Sequence, residues 1–194
     1  MSPAATMTVD DALKRVLAAA DELFYQRGIA AVTMADVRDQ SGVSLRRLYS
    51  LFPTKKDLVA GWLNDRHATW MSWFSASVDQ HTSAGGDALL ATFDAVEAWI
   101  ASPSYRGCGF INAIAETGEI DDRHREIIAS HKRDLLTHLT ALALRDHPAS
   151  PAWLPDALAV ILDGVFVQCA VFQSTGPLQA ARHAARHLIE TVTS

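Results

Sequence analysis

Apolar residues along this chain recur at intervals of three and four, the spacing of one face of a helix. Leu13, Val16, Leu17, Ala20, Leu23 and Phe24 mark a first helix from Thr8, with Asp10 and Asp11 favourable in its first turn and Gly28 as its stop. Thr33 then caps a short helix whose third residue is Asp36, close to a capping box, with Met34 and Val37 on one face. Ser41-Gly42 breaks that helix, because glycine tolerates the positive φ of a tight turn, and Val43 supplies the apolar contact that sets the angle between helices. Ser44 is the next N-cap, and the helix after it turns Leu48, Leu51 and Phe52 toward a core until Pro53. Thr54 caps a long helix reaching about His81, with Lys55 and Lys56 in its first turn and Asp57 at its third position.

The second half reads the same way. Residues 82–86 form a break, and Asp87 caps a helix to about Ser102 carrying Leu89, Leu90, Phe93, Val96, Trp99 and Ile100. Residues 106–112 open a short helix ending near Gly118, and Asp121-Asp122 starts a long one to roughly Asp146. From about Pro155 to Ser174 the pattern is apolar almost all round, which predicts burial on more than one side. Gly176-Pro177 turns the chain into a last helix with Leu178, Ala181, Ala185, Leu188 and Val192 in a narrow seam rich in small residues. The expected fold class is all-α: a tail at 1–7, a three-helix N-terminal domain at 8–54 and a larger helical domain at 55–194.

The short pair of helices around Gly42 has the layout of a helix-turn-helix. Leu48 faces inward, so Leu45, Arg46, Arg47, Tyr49 and Ser50 are left mostly outside, where arginines and a tyrosine can reach base edges and phosphates in a major groove. The plainer alternative is two short core helices whose basic residues are only solvated.

Preceded by the long amphipathic helix, the run Gly42-Val43-Ser44 through Leu48-Tyr49, then Phe52, Lys55 and Leu58, resembles the signature of TetR-family transcriptional regulators over roughly residues 8 to 60. Carried across position by position, the resemblance implies that Thr33 and Ser44 meet phosphates. It also implies that Leu45, Arg46 and Ser50 lie near base edges and that Tyr49 and Lys55 grip the DNA backbone. Arg46 stands where the family often has Gly and Arg47 where it often has Thr, departures expected to change the operator sequence. The resemblance further implies a double-stranded DNA operator, a small-molecule effector held among the later helices, and a homodimer formed by the last two.

Net charge is −5, which alone argues against a nucleic-acid binder. Distribution reverses the argument: between residues 33 and 56, five basic side chains face only Asp36 and Asp39, so the acidic excess lies elsewhere. With 49% hydrophobic residues the chain has ample material for a core. Cys108 and Cys169, the only cysteines, are too few for a disulfide framework or a four-ligand metal site. No signal peptide is recognisable, and the apolar run 157–172 is interrupted by Asp163, so a cytoplasmic protein without a membrane span is expected.

Eight histidines raise a metal question that spacing answers. His124, His131 and His138 share a helix face but stand about 10 Å apart, too far for one ion; His183 and His187, at i,i+4, could chelate one, but near a helix C-terminus the plainer reading is that protonated His is favourable against the dipole. No metal, cofactor or catalytic constellation is expected, hence no enzyme. Cys108, beside Arg106 and near a helix start, is either an inert small hydrophobe or a thiol that senses an electrophile or oxidant. Its Gly-Cys context resembles a ligand-domain motif of one TetR subgroup over about ten residues. An effector site is expected among Trp70, Trp73, Phe74, Phe93, Trp99, Cys108, Phe110, Asn112, His138 and Phe166, with Glu116 and Gln168 as further polar candidates. The competing readings are plain aromatic core, and a helical bundle that binds a small molecule without any role on DNA.

Overall fold

The computed structural model describes residues 7–83, 85–116 and 120–193. Among them the order is α1 Val9–Arg27, α2 Met34–Ser41, α3 Leu45–Leu51, α4 Lys55–Thr82, α5 Ala88–Ile100, α6 Gly109–Ala115, α7 Asp122–Asp146, α8 Leu154–Phe172 and α9 Gly176–Thr193. The chain forms two compact units, Met1–His67 with Asn112–Ile128 and Ala68–Ile111 with Ala129–Ser194. Helices α4, α6 and α7 each run from one into the other. Of the expected tail, residues 1–6 lie outside the described residues, as does Gly118, the expected end of α6.

In the first unit the helix ends follow local chemistry. Thr8 and Thr33 each close a full capping box, with Asp11 and Asp36 respectively. Thr54 and Asp57 exchange the same pair of bonds at the start of α4. Ala12, Val16, Ala20, Leu23 and Phe24 of α1 are buried with Leu48 of α3 and Leu58, Val59, Trp62 and Leu63 of α4. Each large side chain so buried contributes about 1.5–3 kcal/mol. The Trp62 ring meets Phe24 edge-on at 5.3 Å, and its Nε1 donates to Asp21 Oδ1 at 2.7 Å, so a buried indole keeps its donor satisfied. Asp21 also takes Arg66, whose guanidinium is almost buried and lies 4.2 Å over the Tyr25 ring.

In the second unit Phe74, Phe93, Leu135, Leu139, Leu158, Leu162 and Phe166 make the core, closed by Leu178, Ala185 and Ile189 of α9. Tyr105 donates its buried hydroxyl to the Phe166 carbonyl at 2.7 Å. Two expectations change here. The small-residue seam of α9 packs on this unit's own core, with Ala181, Leu188 and Val192 partly buried against it; small side chains let the helix approach closely. The seam therefore closes the monomer. Conversely, α8 is not covered all round within the chain: Val160, Val167, Val171 and Phe172 are 72%, 42%, 68% and 64% exposed. By length and composition α8 is apolar enough to cross a membrane, yet Leu158, Leu162, Val165 and Phe166 on its inner face belong to the core.

Candidate nucleic-acid interface

The first unit presents α3 as a short, doubly anchored rod. At its entry Gly42 sits at φ +67°, a left-handed conformation that a residue with a side chain adopts only at a cost, and its N–H donates to Arg38 O at 3.0 Å. The Ser41 hydroxyl donates to the same carbonyl and accepts from Val43 N–H at 3.3 Å, so the turn between α2 and α3 satisfies its own polar groups. Ser44 caps α3 by accepting from Arg47 N–H at 3.3 Å. Leu48, fully buried, fixes the rotation of the helix about its axis. With that residue inward, Leu45, Arg46, Tyr49 and Ser50 are exposed, as the spacing predicted.

The remaining expected DNA contacts are engaged differently. Arg47 is half-buried and donates through Nη2 to Met7 O at 3.1 Å, so part of its fork is spent on the chain ahead of α1. Lys55 is half-buried too, its Nζ 3.5 Å from Ala30 O. Thr33 and Ser44 are exposed, but Thr33 commits both its N–H and its hydroxyl proton to Asp36, at 2.8 and 2.6 Å. That hydroxyl holds the Asp36 carboxyl below the usual carboxylate range. The Ser50 hydroxyl donates to Arg47 O at 2.7 Å.

Long-range partners of this unit were not legible in the sequence. The Glu116 carboxylate accepts from Ile29 N–H at 2.9 Å and Ala30 N–H at 2.7 Å, in the turn between α1 and α2. Asn112, also expected at the effector site, is exposed and falls with Glu116 in the first unit. His124, completely buried, donates from Nε2 to Lys56 O at 2.9 Å and accepts at Nδ1 from Asp121 N–H at 3.2 Å. Arg123 reaches Asp57 at 2.9 Å, and the bonds to Thr54 and then Arg123 depress the Asp57 carboxyl. Only the capping pattern at Asp57 was visible beforehand.

In the second unit the expected effector residues do gather. Trp70, Phe74, Phe93, Phe110 and Phe166 are buried, with Trp73, Trp99 and Cys108 partly buried beside them. Trp70 stacks on Phe74 at 4.7 Å, Trp73 lies 4.9 Å from Trp99, and Phe110 stacks on His131 at 3.7 Å. His138 faces Phe74 at 5.7 Å, and its Nε2 is buried without a hydrogen-bond partner. Burial pushes this imidazole below its ordinary 6.5, against the pull of Asp79 and with a smaller push from Arg145. Gln168 is exposed. A separate hollow of about 430 Å³, lined by Ser102, Tyr105, Cys169, Gln173, Ser174 and Thr175 among others, was not anticipated. Burial raises the Cys169 thiol there.

The sequence profile of bacterial regulatory proteins of the tetR family matches residues 16–61, the stretch from mid-α1 to Gly61 of α4. The HTH-type transcriptional repressor BdcR of Escherichia coli K12 is 23% identical over 179 residues, spanning 92% of this chain and 89% of its own. The HTH-type transcriptional regulator TtgR of Pseudomonas putida is 36% identical over 55 residues, 28% of this chain and 26% of its own. In fold the chain is similar to the crystal structure of a TetR-family transcriptional regulator from Streptomyces coelicolor, with a TM-score of 0.82 at 24% identity over 96% of this chain and 92% of the other.

Proposed function

This chain belongs to the tetR family of bacterial regulatory proteins and is a DNA-binding transcriptional regulator; from that premise we propose that it is a cytoplasmic repressor, acting as a homodimer on an inverted-repeat operator and released by a small apolar or aromatic effector. The observation that carries the reading is the outer face of α3, where Arg46 and Tyr49 stand exposed beside Leu45 and Ser50 on a helix anchored at both ends. Arg46 is suited to a guanine edge and Leu45 to a thymine methyl. Residues 8–54 form the reading domain and 55–194 the effector and dimerisation domain.

Dimerisation is supported by the exposed stripe of α8: Val160, Val167 and Val171 recur at seven and four, an apolar row left open in the single chain. Two reading helices related by a two-fold axis then enter major grooves about 34 Å apart or a multiple of it. The effector reading is supported by His138, whose unpartnered Nε2 lies at the aromatic cluster and offers a neutral imidazole nitrogen to a ligand. An effector that prefers the unbound state tenfold weakens operator binding by about 1.4 kcal/mol.

The test is binding to duplex DNA from upstream of the protein's own gene, titrated against salt, with wild type and Arg46→Ala. Saturable, salt-sensitive binding that weakens by about 1–3 kcal/mol in the variant, with reduced preference over random duplex, is the expected result. Wild-type binding no tighter than to random duplex, unchanged by the substitution, refutes the reading.

A further inference from the structure

The turn between α1 and α2 carries an arrangement that DNA contact does not require. Gly28 sits at φ +83°, and the amides of the next residues, Ile29 and Ala30, both point to one carboxylate, that of Glu116. Consecutive backbone N–H groups in a turn can make an anion-binding nest. Here the anion is a side chain that arrives from 87 residues along the chain, immediately beyond α6. The fit is close. A Cβ on Gly28 would lie 3.2 Å from Glu116 Oε1 and 3.3 Å from Oε2, so glycine at this position serves both the backbone conformation and the approach of the carboxylate. From the other side the Lys55 ammonium stands 3.5 Å from the Ala30 carbonyl. The turn is therefore held through its donors by an acid and through an acceptor by a base.

We propose that Glu116 is a positioning residue for DNA recognition: by filling the nest it fixes the turn that sets α2, and through the Gly42 turn α3, against α1. This rests on the reading of α3 as the DNA-contacting element. Charge-assisted bonds to backbone amides are about twice as strong as neutral ones. Their loss frees a turn whose Ile29 side chain is buried and whose helix α2 has only eight residues to hold it.

The experiment compares wild type, Glu116→Gln and Glu116→Ala by amide hydrogen exchange at Ile29 and Ala30, and by affinity for duplex DNA from upstream of the gene. Glu116→Ala is expected to speed exchange at both amides about tenfold and to weaken DNA binding by a similar factor. The salt dependence should stay unchanged, because no phosphate contact is lost. Glu116→Gln, with one acceptor oxygen retained, falls between. Formate replacing chloride at constant ionic strength should restore slow exchange and tighter binding to Glu116→Ala alone, since only that variant has an empty nest. A role in stability alone predicts no such rescue and unchanged affinity of the folded fraction, and that result overturns the proposal. So does unchanged exchange at Ile29 and Ala30 in Glu116→Ala. A wild-type chain that binds no duplex overturns the regulatory reading and the positioning role with it. It is told apart because exchange is read without DNA and still reports whether the carboxylate fills the nest.

Discussion

Gly61 lies in α4 directly beneath the ring of Phe52, the residue that ends α3. A Cβ added there would stand 2.6 Å from Phe52 Cε1, 3.0 Å from Cζ and 3.6 Å from Leu17 Cδ2. Carbon atoms pack at about 3.5–4.0 Å, so the Phe52 ring must retreat by about 1 Å. Phe52 is 8% exposed and its N–H closes α3 onto Leu48 O, so the ring moves only by shifting the helix end or compressing its neighbours. Overpacking of this kind costs about 1–3 kcal/mol. Replacing Gly by Ala inside a helix returns about 1 kcal/mol. The balance for Gly61→Ala is a net loss of about 1 kcal/mol, with a displaced α3 and weaker operator binding. Urea denaturation of Gly61→Ala, Phe52→Leu and the double variant checks this, because the smaller Leu relieves the clash and the two substitutions must couple favourably. A stabilised Gly61→Ala, with additive energies and unchanged DNA affinity, would refute the reasoning.

At α2, Thr33→Ala should lower stability by about 1 kcal/mol through loss of the N-cap. Asp36, held below its ordinary 3.8 by Thr33, contributes stability that is present above that value and lost as pH falls through the depressed one, so the difference between wild type and variant should shrink in acid below about pH 4. In the second unit His138 works in a higher window. Its folded value lies below 6.5, so as pH drops past 6.5 the unfolded chain takes a proton that the buried ring refuses, and stability falls until the folded value is passed. Urea midpoints at about pH 7.5 and about pH 5.5 should therefore converge more closely for His138→Phe than for wild type; equal acid losses in the two proteins would exclude this buried imidazole as a source.

Where each helix begins and ends was legible from a few adjacent residues. Thr8, Thr33, Ser44 and Asp87 each cap a helix by accepting from a backbone N–H three residues on, while Gly28 and Gly42 take the positive φ that stops one. Those are contacts across one turn, and sequence spacing alone brings the groups into reach. The outward face of α3 follows from the same period once Leu48 is inside. Contacts between distant residues were not legible. His124, His131 and His138 keep a strict seven-residue interval, yet one pairs with the Lys56 carbonyl, one stacks on Phe110 and one is left with a bare nitrogen. The α9 seam could face another chain or its own, and only its place in the buried cluster that also holds Leu158, Leu162 and Phe166 assigns it to its own core. Glu116 read from sequence only as a further polar candidate, and the bonds of its carboxylate to Ile29 and Ala30 came from the fold. Periodicity states which residues share a face, but which neighbour that face meets is settled by how the helices pack, because burial and hydrogen bonding across 60 to 90 residues depend on all of them at once.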